Sequence, residues 1–333
     1  MKRWIAVILA VVLVLALAGC GSDDKDTGGD EAKTYKIAMV MDSSISDGGW
    51  GTACYSALVS ASEDLGWEVA YTDSIKQSDY VSSIESYCQL GYDMIFLPGN
   101  QYSDATVQVA ADYPDIAFVV LNGAETLPTD NIVSILPNAD QIGYIAGVFA
   151  GLVDETNVIG FIGGMELDTT LAKLAGYTAA AQAINPDIEV LTAYAGSFDD
   201  SAKGMELAKS MIDQKADVFF GDASAVDSGA RQAIDTANGD GAITIYDIGQ
   251  PADILGQNPC VIGSVVTDNA GMLKICMQDL IDGNFGNKVV YGSLENDCLS
   301  LGALNEDLLS AEVREQIQDY VAQIEAGTFP PKK

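Results

Sequence analysis

In residues 93–112, DMIFLPGNQYSDATVQVAAD, a strand-like apolar run (93–97) passes through Pro98-Gly99 into a polar loop. That loop opens a stretch of helical periodicity from Ser103 to Asp112. A run that is apolar on both faces belongs to a strand covered by helices on either side, which is the setting of a parallel sheet. The same unit lies upstream and downstream. Residues 36–41 (KIAMVM) read as a strand, 51–65 as a helix stopped at Gly66, 67–71 as a strand and 78–90 as a helix closed by Gly91. Beyond the quoted segment, Pro114 breaks the helix and 116–121 (IAFVVL) extends the sheet. Repeated βα units predict a doubly wound α/β domain.

The pattern then restarts. Helices are expected at 139–153, 170–184, 200–214 and 225–237, and strands at 158–162, 188–194, 217–220 and 243–246. A strand at 260–266 and a helix at 269–282 remain for the tail. Two successive α/β sets of similar size predict two lobes. Ligands of open α/β sheets sit beyond the carboxyl ends of the strands, so binding residues are expected in the loops just after the strands, facing a cleft between the lobes.

The first residues carry a different message. Lys2 and Arg3 precede an uninterrupted apolar run from Trp4 to Leu15, the form of a secretory signal. The run is short for a bilayer core, which takes about 20 apolar residues. Leu17-Ala18-Gly19-Cys20 reads as a lipobox with Cys20 as the lipidation site, and 21–33 (GSDDKDTGGDEAK) is a polar tether that cannot bury apolar surface. The expectation is a body anchored through lipid to the extracytoplasmic face of the cell membrane.

Composition narrows the function. The chain has 333 residues, a formal net charge of −32, 48% hydrophobic residues and no histidine. The charge repels nucleic acid and anionic headgroups, which leaves neutral or cationic solutes as the expected partners. Without histidine the usual general base and the commonest zinc ligand are missing. The chain is therefore read as a binding protein with no catalytic residue, no metal and no cofactor. After Cys20 five cysteines remain, without metal-site spacing. Either Cys54 with Cys88 or Cys260 with Cys298 can meet in a disulfide; buried apolar thiols are the other reading.

The loops after the strands hold the candidate site. The first (42–50, DSSISDGGW) offers Asp47 and Trp50, of which Asp47 would serve equally as a helix cap. The third strand leads to Asn100 and Asp104. In the second set Gly164, Asp222 and Asp247 follow or close strands. Carboxylates beside aromatic rings suit vicinal sugar hydroxyls, in a free sugar or in a ribose.

These segments resemble the basic membrane lipoprotein family of ABC-transporter substrate-binding proteins. The resemblance covers about 36–302. It rests on Ile45-Ser46-Asp47-Gly48-Gly49-Trp50, Tyr144-Ile145-Ala146-Gly147, Gly160-Phe161-Ile162-Gly163-Gly164, Gly196-Ser197-Phe198-Asp199-Asp200 and Asp247-Ile248-Gly249-Gln250. It implies an α/β, two-lobed type I periplasmic-binding-protein fold, each lobe a parallel sheet flanked by helices, with a hinged cleft that takes a nucleoside and delivers it to ABC permease subunits. It also implies that Asp104 faces the base, Asp247 takes the ribose hydroxyls and Ser264 belongs to the site. Ser46, Trp50 and Gly51 stand where the family carries asparagine, phenylalanine and asparagine, and Thr267 where it carries lysine. The expected division is a signal at 1–20, a tether at 21–34, a first lobe of 35–137 with 251–287, and a second of 138–250 with 288–333. A monosaccharide or other small polar solute, or a role as ligand-presenting partner of a sensor, would keep the same fold.

Overall fold

β-Branched and apolar residues fill short runs bounded by glycine, proline and asparagine, and these runs become the strands. The computed structural model describes residues 33–46 and 50–330. In chain order the first lobe contains β1 (Lys36–Val40), α1 (Trp50–Leu65), β2 (Glu68–Thr72), α2 (Tyr80–Gln89), β3 (Met94–Pro98), α3 (Ser103–Asp112), β4 (Ala117–Leu121) and β5 (Ile132–Pro137). The second lobe follows with α4 (Ala139–Val153), β6 (Val158–Gly163), α5 (Asp168–Ile184), β7 (Glu189–Tyr194), α6 (Ser201–Asp213), β8 (Val218–Asp222), α7 (Ala225–Asn238), β9 (Tyr246–Gly249) and β10 (Val261–Thr267). The tail adds α8 (Asn269–Ile281), β11 (Val289–Gly292), β12 (Leu299–Leu301) and α9 (Ala311–Glu325).

The strands form two sheets of matching order, β11-β5-β4-β3-β1-β2 and β12-β10-β9-β8-β6-β7. Every pairing in the first is parallel, as the double-sided burial of β3 and β4 requires. In the second, β12 runs antiparallel to β10. This is the expected α/β, two-lobed fold. The sequence pattern anticipated most elements to within a few residues; β5, β11, β12 and α9 were not foreseen. β5 (IVSILP) is interrupted by Ser134, whose buried hydroxyl donates to the Ala124 carbonyl at 2.8 Å, and no helix precedes it.

The lobe boundaries differ from those expected. Residues 251–267 stay with the second sheet through β10, and β11, expected in the second lobe, lies in the first sheet beside β5. Each crossing carries a helix to the other lobe. α4 leaves β5 and packs on α5, while α8 leaves β10 and packs on α1. The crossings are tied together: Asn138 N–H donates to the Gly292 carbonyl at 2.8 Å, and Asp268 N–H to the Cys298 carbonyl at 2.9 Å.

The α4–α5 contact is set by small residues. A methyl group at Gly143 would meet the Lys173 carbonyl, and one at Gly147 the Tyr177 carbonyl, so only glycine lets the two backbones approach this closely. The cysteines follow the buried-thiol reading. Cys54, Cys88, Cys260, Cys276 and Cys298 are all free and buried. Cys54 and Cys88 lie in separate apolar clusters, as do Cys260 and Cys298, so neither of the two possible disulfides forms.

Candidate ligand-binding cleft

Residues at the carboxyl ends of β1 and β3, with Tyr80 at the start of α2, build the first lobe's wall. Asp42 follows β1 and is gripped by the Tyr80 hydroxyl, which donates to Oδ2 at 2.8 Å, and by Gln101 Nε2 at 3.1 Å. The Tyr80 ring packs on Tyr102 with centroids 4.3 Å apart. Burial, with the Asp42 carboxylate beside it, pushes the Tyr80 phenol up to about 12, so it stays protonated and remains a donor. Trp50 opens α1 with 37% of its surface exposed, and an indole of this kind can stack on a flat ligand. Asn100 is exposed and accepts from the Ser103 hydroxyl at 2.8 Å; Asp104 is exposed in the first turn of α3. Asp47, like Cys20 and the whole of the signal and most of the tether, lies outside the described residues.

The second lobe's wall is built from β6, β8 and β9. Gly164 is buried just past β6, and the Phe198 ring lies where its side chain would be. Phe198, half-buried in the loop between β7 and α6, is the ring the sequence reading did not assign to the site, although it sits inside the quoted Gly196–Asp200 segment. Asp222 ends β8. It accepts from the Thr170 hydroxyl at 2.6 Å and pairs with Lys173 Nζ at 2.7 Å, and Lys173 also donates to Gln250 Oε1 at 3.0 Å. Gln250 Nε2 in turn donates to the Gly221 carbonyl.

Two further expected site residues are buried within strands. Asp247 lies within β9, is 4% exposed, and pairs with Arg231 Nε at 2.7 Å through Oδ2. Its carboxylate is closed off from solvent within the sheet and faces a buried guanidinium. Ser264 is fully buried in β10, and its hydroxyl oxygen accepts the Ile254 N–H at 3.1 Å, pinning the loop after β9. Near Asp247, Asp227 accepts the Ala223 N–H at 2.9 Å and so braces the loop after β8; burial pushes its carboxyl up to about 7. The structure thus brings Gly164 and Asp222 together with Phe198 and Lys173 on one wall, and Trp50, Asn100 and Asp104 to the strand ends of the other lobe.

Rings, carboxylates and one ammonium at the strand ends make a surface suited to holding a neutral polar solute. Among the described residues no group of three or more potential ligands is arranged to hold a metal ion. A pocket of about 440 Å³ between α1 and α8 is lined by Asp64, Lys274 and Gln278 among others, and by none of the residues of the two walls.

A family model described as "ABC transporter substrate-binding protein PnrA-like" matches residues 34–328. The chain belongs to this family. It is 30% identical to the ABC transporter nucleoside-binding protein BmpA of Lactococcus lactis, over 99% of each chain. It is 27% identical to the putative ABC transporter glucose-binding protein TsgA13 of Haloferax volcanii, over 90% of this chain and 74% of that one. Among solved structures, an ABC transporter solute-binding protein from Aeropyrum pernix superposes with a TM-score of 0.72 at 21% identity, covering 88% of this chain and 92% of that one. As a member of the PnrA-like family the chain is an extracytoplasmic ABC-transporter substrate-binding protein, a class that binds small solutes and works with permeases. No helix among the described residues is long and apolar enough to cross a membrane.

Proposed function

We propose that this protein captures a nucleoside between its lobes and hands it to an ABC permease, while Cys20 holds it to the membrane through lipid. The observation that carries the nucleoside reading is a ring at the strand ends of each lobe: exposed Trp50 at the start of α1, and half-buried Phe198 over Gly164 past β6. Two such faces can clasp a planar base, and the hydroxyl-binding groups around Asp222 suit a sugar. The 30% identity to a nucleoside-binding protein supports the same choice. The mechanism is a shift of population. A ligand that touches both walls favours the closed form by as much as its affinity for that form exceeds its affinity for the open one. Asp42, Asn100 and Asp104 contribute polar contacts from the first lobe, and Gly164 leaves room for Phe198 on the second. Asp47, three residues before Trp50 in the chain, would add a further carboxylate.

Similarity to a putative glucose-binding protein favours a second reading, a monosaccharide in the same cleft. Calorimetric titration of the purified protein with adenosine, guanosine, free bases and D-glucose distinguishes them. Saturable binding of nucleosides without binding of glucose is expected; binding of glucose alone would replace the nucleoside by a sugar. Metabolic labelling of the Cys20→Ala variant with a fatty-acid probe tests the anchor, and labelling equal to that of the parent would overturn it.

A further inference from the structure

The cluster of Lys173, Asp222, Gln250 and Thr170 draws its members from three neighbouring strands. Asp222 ends β8, Gln250 follows β9, and Thr170 and Lys173 stand in the first two turns of α5, which follows β6. The side chains of Lys173 and Asp222 are 13% and 20% exposed, so the pair is largely but not wholly withdrawn from water. Its position is rigid. α5 is held to α4 at the Lys173 carbonyl by Gly143, and Thr170, itself 1% exposed, locks Asp222 Oδ2 at 2.6 Å.

The donor and acceptor count leaves capacity on both partners. An ammonium has three protons, and the contacts to Asp222 Oδ1 and Gln250 Oε1 use two. A carboxylate has about four acceptor sites, and Thr170, Lys173 and a long 3.4 Å contact from Gln250 fill three at most. Among the described residues, an unfilled donor position therefore lies beside an unfilled acceptor position at the carboxyl end of β8. Neighbouring hydroxyls on a sugar ring present the matching pair. An anion does not match, because Asp222 offsets the lysine charge and the chain carries a net charge of −32.

We infer that Lys173 and Asp222 form a subsite that reads a vicinal diol, Lys173 donating to one hydroxyl oxygen while the adjacent hydroxyl donates to Asp222. This rests on the nucleoside reading of the cleft and makes Lys173 a specificity-determining residue for the ribose. Thr170 and Gln250 act as positioning residues that aim the pair. Asp247, 4% exposed and paired with Arg231, takes no part.

The test is calorimetric titration of the purified protein with adenosine and with 2′-deoxyadenosine, together with Lys173→Met and Asp222→Asn, each checked by thermal unfolding. The parent protein is expected to favour adenosine at least tenfold. Both variants should lose at least tenfold in adenosine affinity, with under threefold change for the deoxynucleoside, so that the preference collapses. Asp222→Asn preserves shape and one acceptor, and it carries the test if Lys173→Met unfolds. Equal affinity of the parent for the two nucleosides, or an unchanged preference in a folded variant, would overturn the subsite and leave the nucleoside reading standing. Binding of neither nucleoside by the parent would overturn both.

Discussion

Strand β4 of the first sheet and strand β9 of the second occupy the same place in the two strand orders, but β4 is AFVVL, buried and apolar throughout, whereas β9 is YDIG and buries Asp247. The contrast extends through the lobes. Among the described residues the buried carboxylates, Asp217, Asp227 and Asp247, all belong to the second lobe, while the first lobe's buried polar groups are hydroxyls such as Ser62, Thr106 and Ser134. The rims differ in the same sense. Asp42 is held by a phenol and an amide, Asp222 by an ammonium and a hydroxyl. One fold has therefore been filled in two ways. The first lobe relies on apolar packing. The second places charge beneath its ligand wall and must keep that charge paired or protonated, because an isolated buried charge costs several kcal/mol.

The largest test of this contrast is Arg231→Met. It strands Asp247 without its partner and should destabilise the protein by about 3–5 kcal/mol, read by chemical or thermal unfolding. Restoration of stability by the double change Arg231→Met with Asp247→Leu would show that pairing, not the charge itself, is what the fold needs. No loss in the single variant would mean that the buried pair is dispensable.

Next comes the pH dependence. Burial pushes Asp217 and Asp227 from the ordinary 3.8 up to about 7. A folded-state pKa above the unfolded one means that this contribution to stability is complete below about pH 4 and is lost as pH rises through about 7. The protein should therefore melt several degrees higher at pH 5.5 than at pH 8, a difference on the order of a few kcal/mol. Asp227→Asn should flatten the profile. A Tm that rises toward pH 8 would mean the second lobe's carboxylates are charged in the folded state.

Smaller effects belong to the walls. Phe198→Ala should weaken nucleoside binding about tenfold, the scale of one lost stacking contact, with little change in Tm. A loss of Tm without a loss of affinity would make the ring a packing residue for Gly164 alone. Tyr80→Phe removes one hydrogen bond to Asp42 and should cost about 1 kcal/mol of stability or less. A larger loss would show that the first lobe, too, depends on a polar network.

Much of this architecture is legible in the chain, for a reason that also explains the gaps. Runs such as MIFLP and AFVVL, apolar at successive positions, admit one interpretation when helices alternate with them, and so both sheets could be anticipated. β11 and β12 are four and three residues long, with exposed positions within them, and such short segments carry no period to detect. The lobe boundaries depended on which sheet those strands join, a tertiary choice that no local pattern records. At the site, Trp50, Asn100, Asp104 and Asp222 could be located because strand ends are readable. The difference between Asp222 and Asp247 could not, because Arg231 and Lys173 reach them from helices sixteen and forty-nine residues away. Phe198 was hidden for a similar reason. Its relation to Gly164 exists only once β7 lies beside β6.

The most direct test of the central claim, a planar ligand clasped between Trp50 and Phe198, is to titrate guanosine into the purified protein while following tryptophan fluorescence, with Trp50→Phe as the control. The chain has three tryptophans, so the contribution of Trp50 is the difference between the two titrations. The account predicts a saturable change that disappears in Trp50→Phe although calorimetry still registers binding. Calorimetric binding with no change in the signal from Trp50 would contradict it, since the base would then lie away from the first lobe's ring.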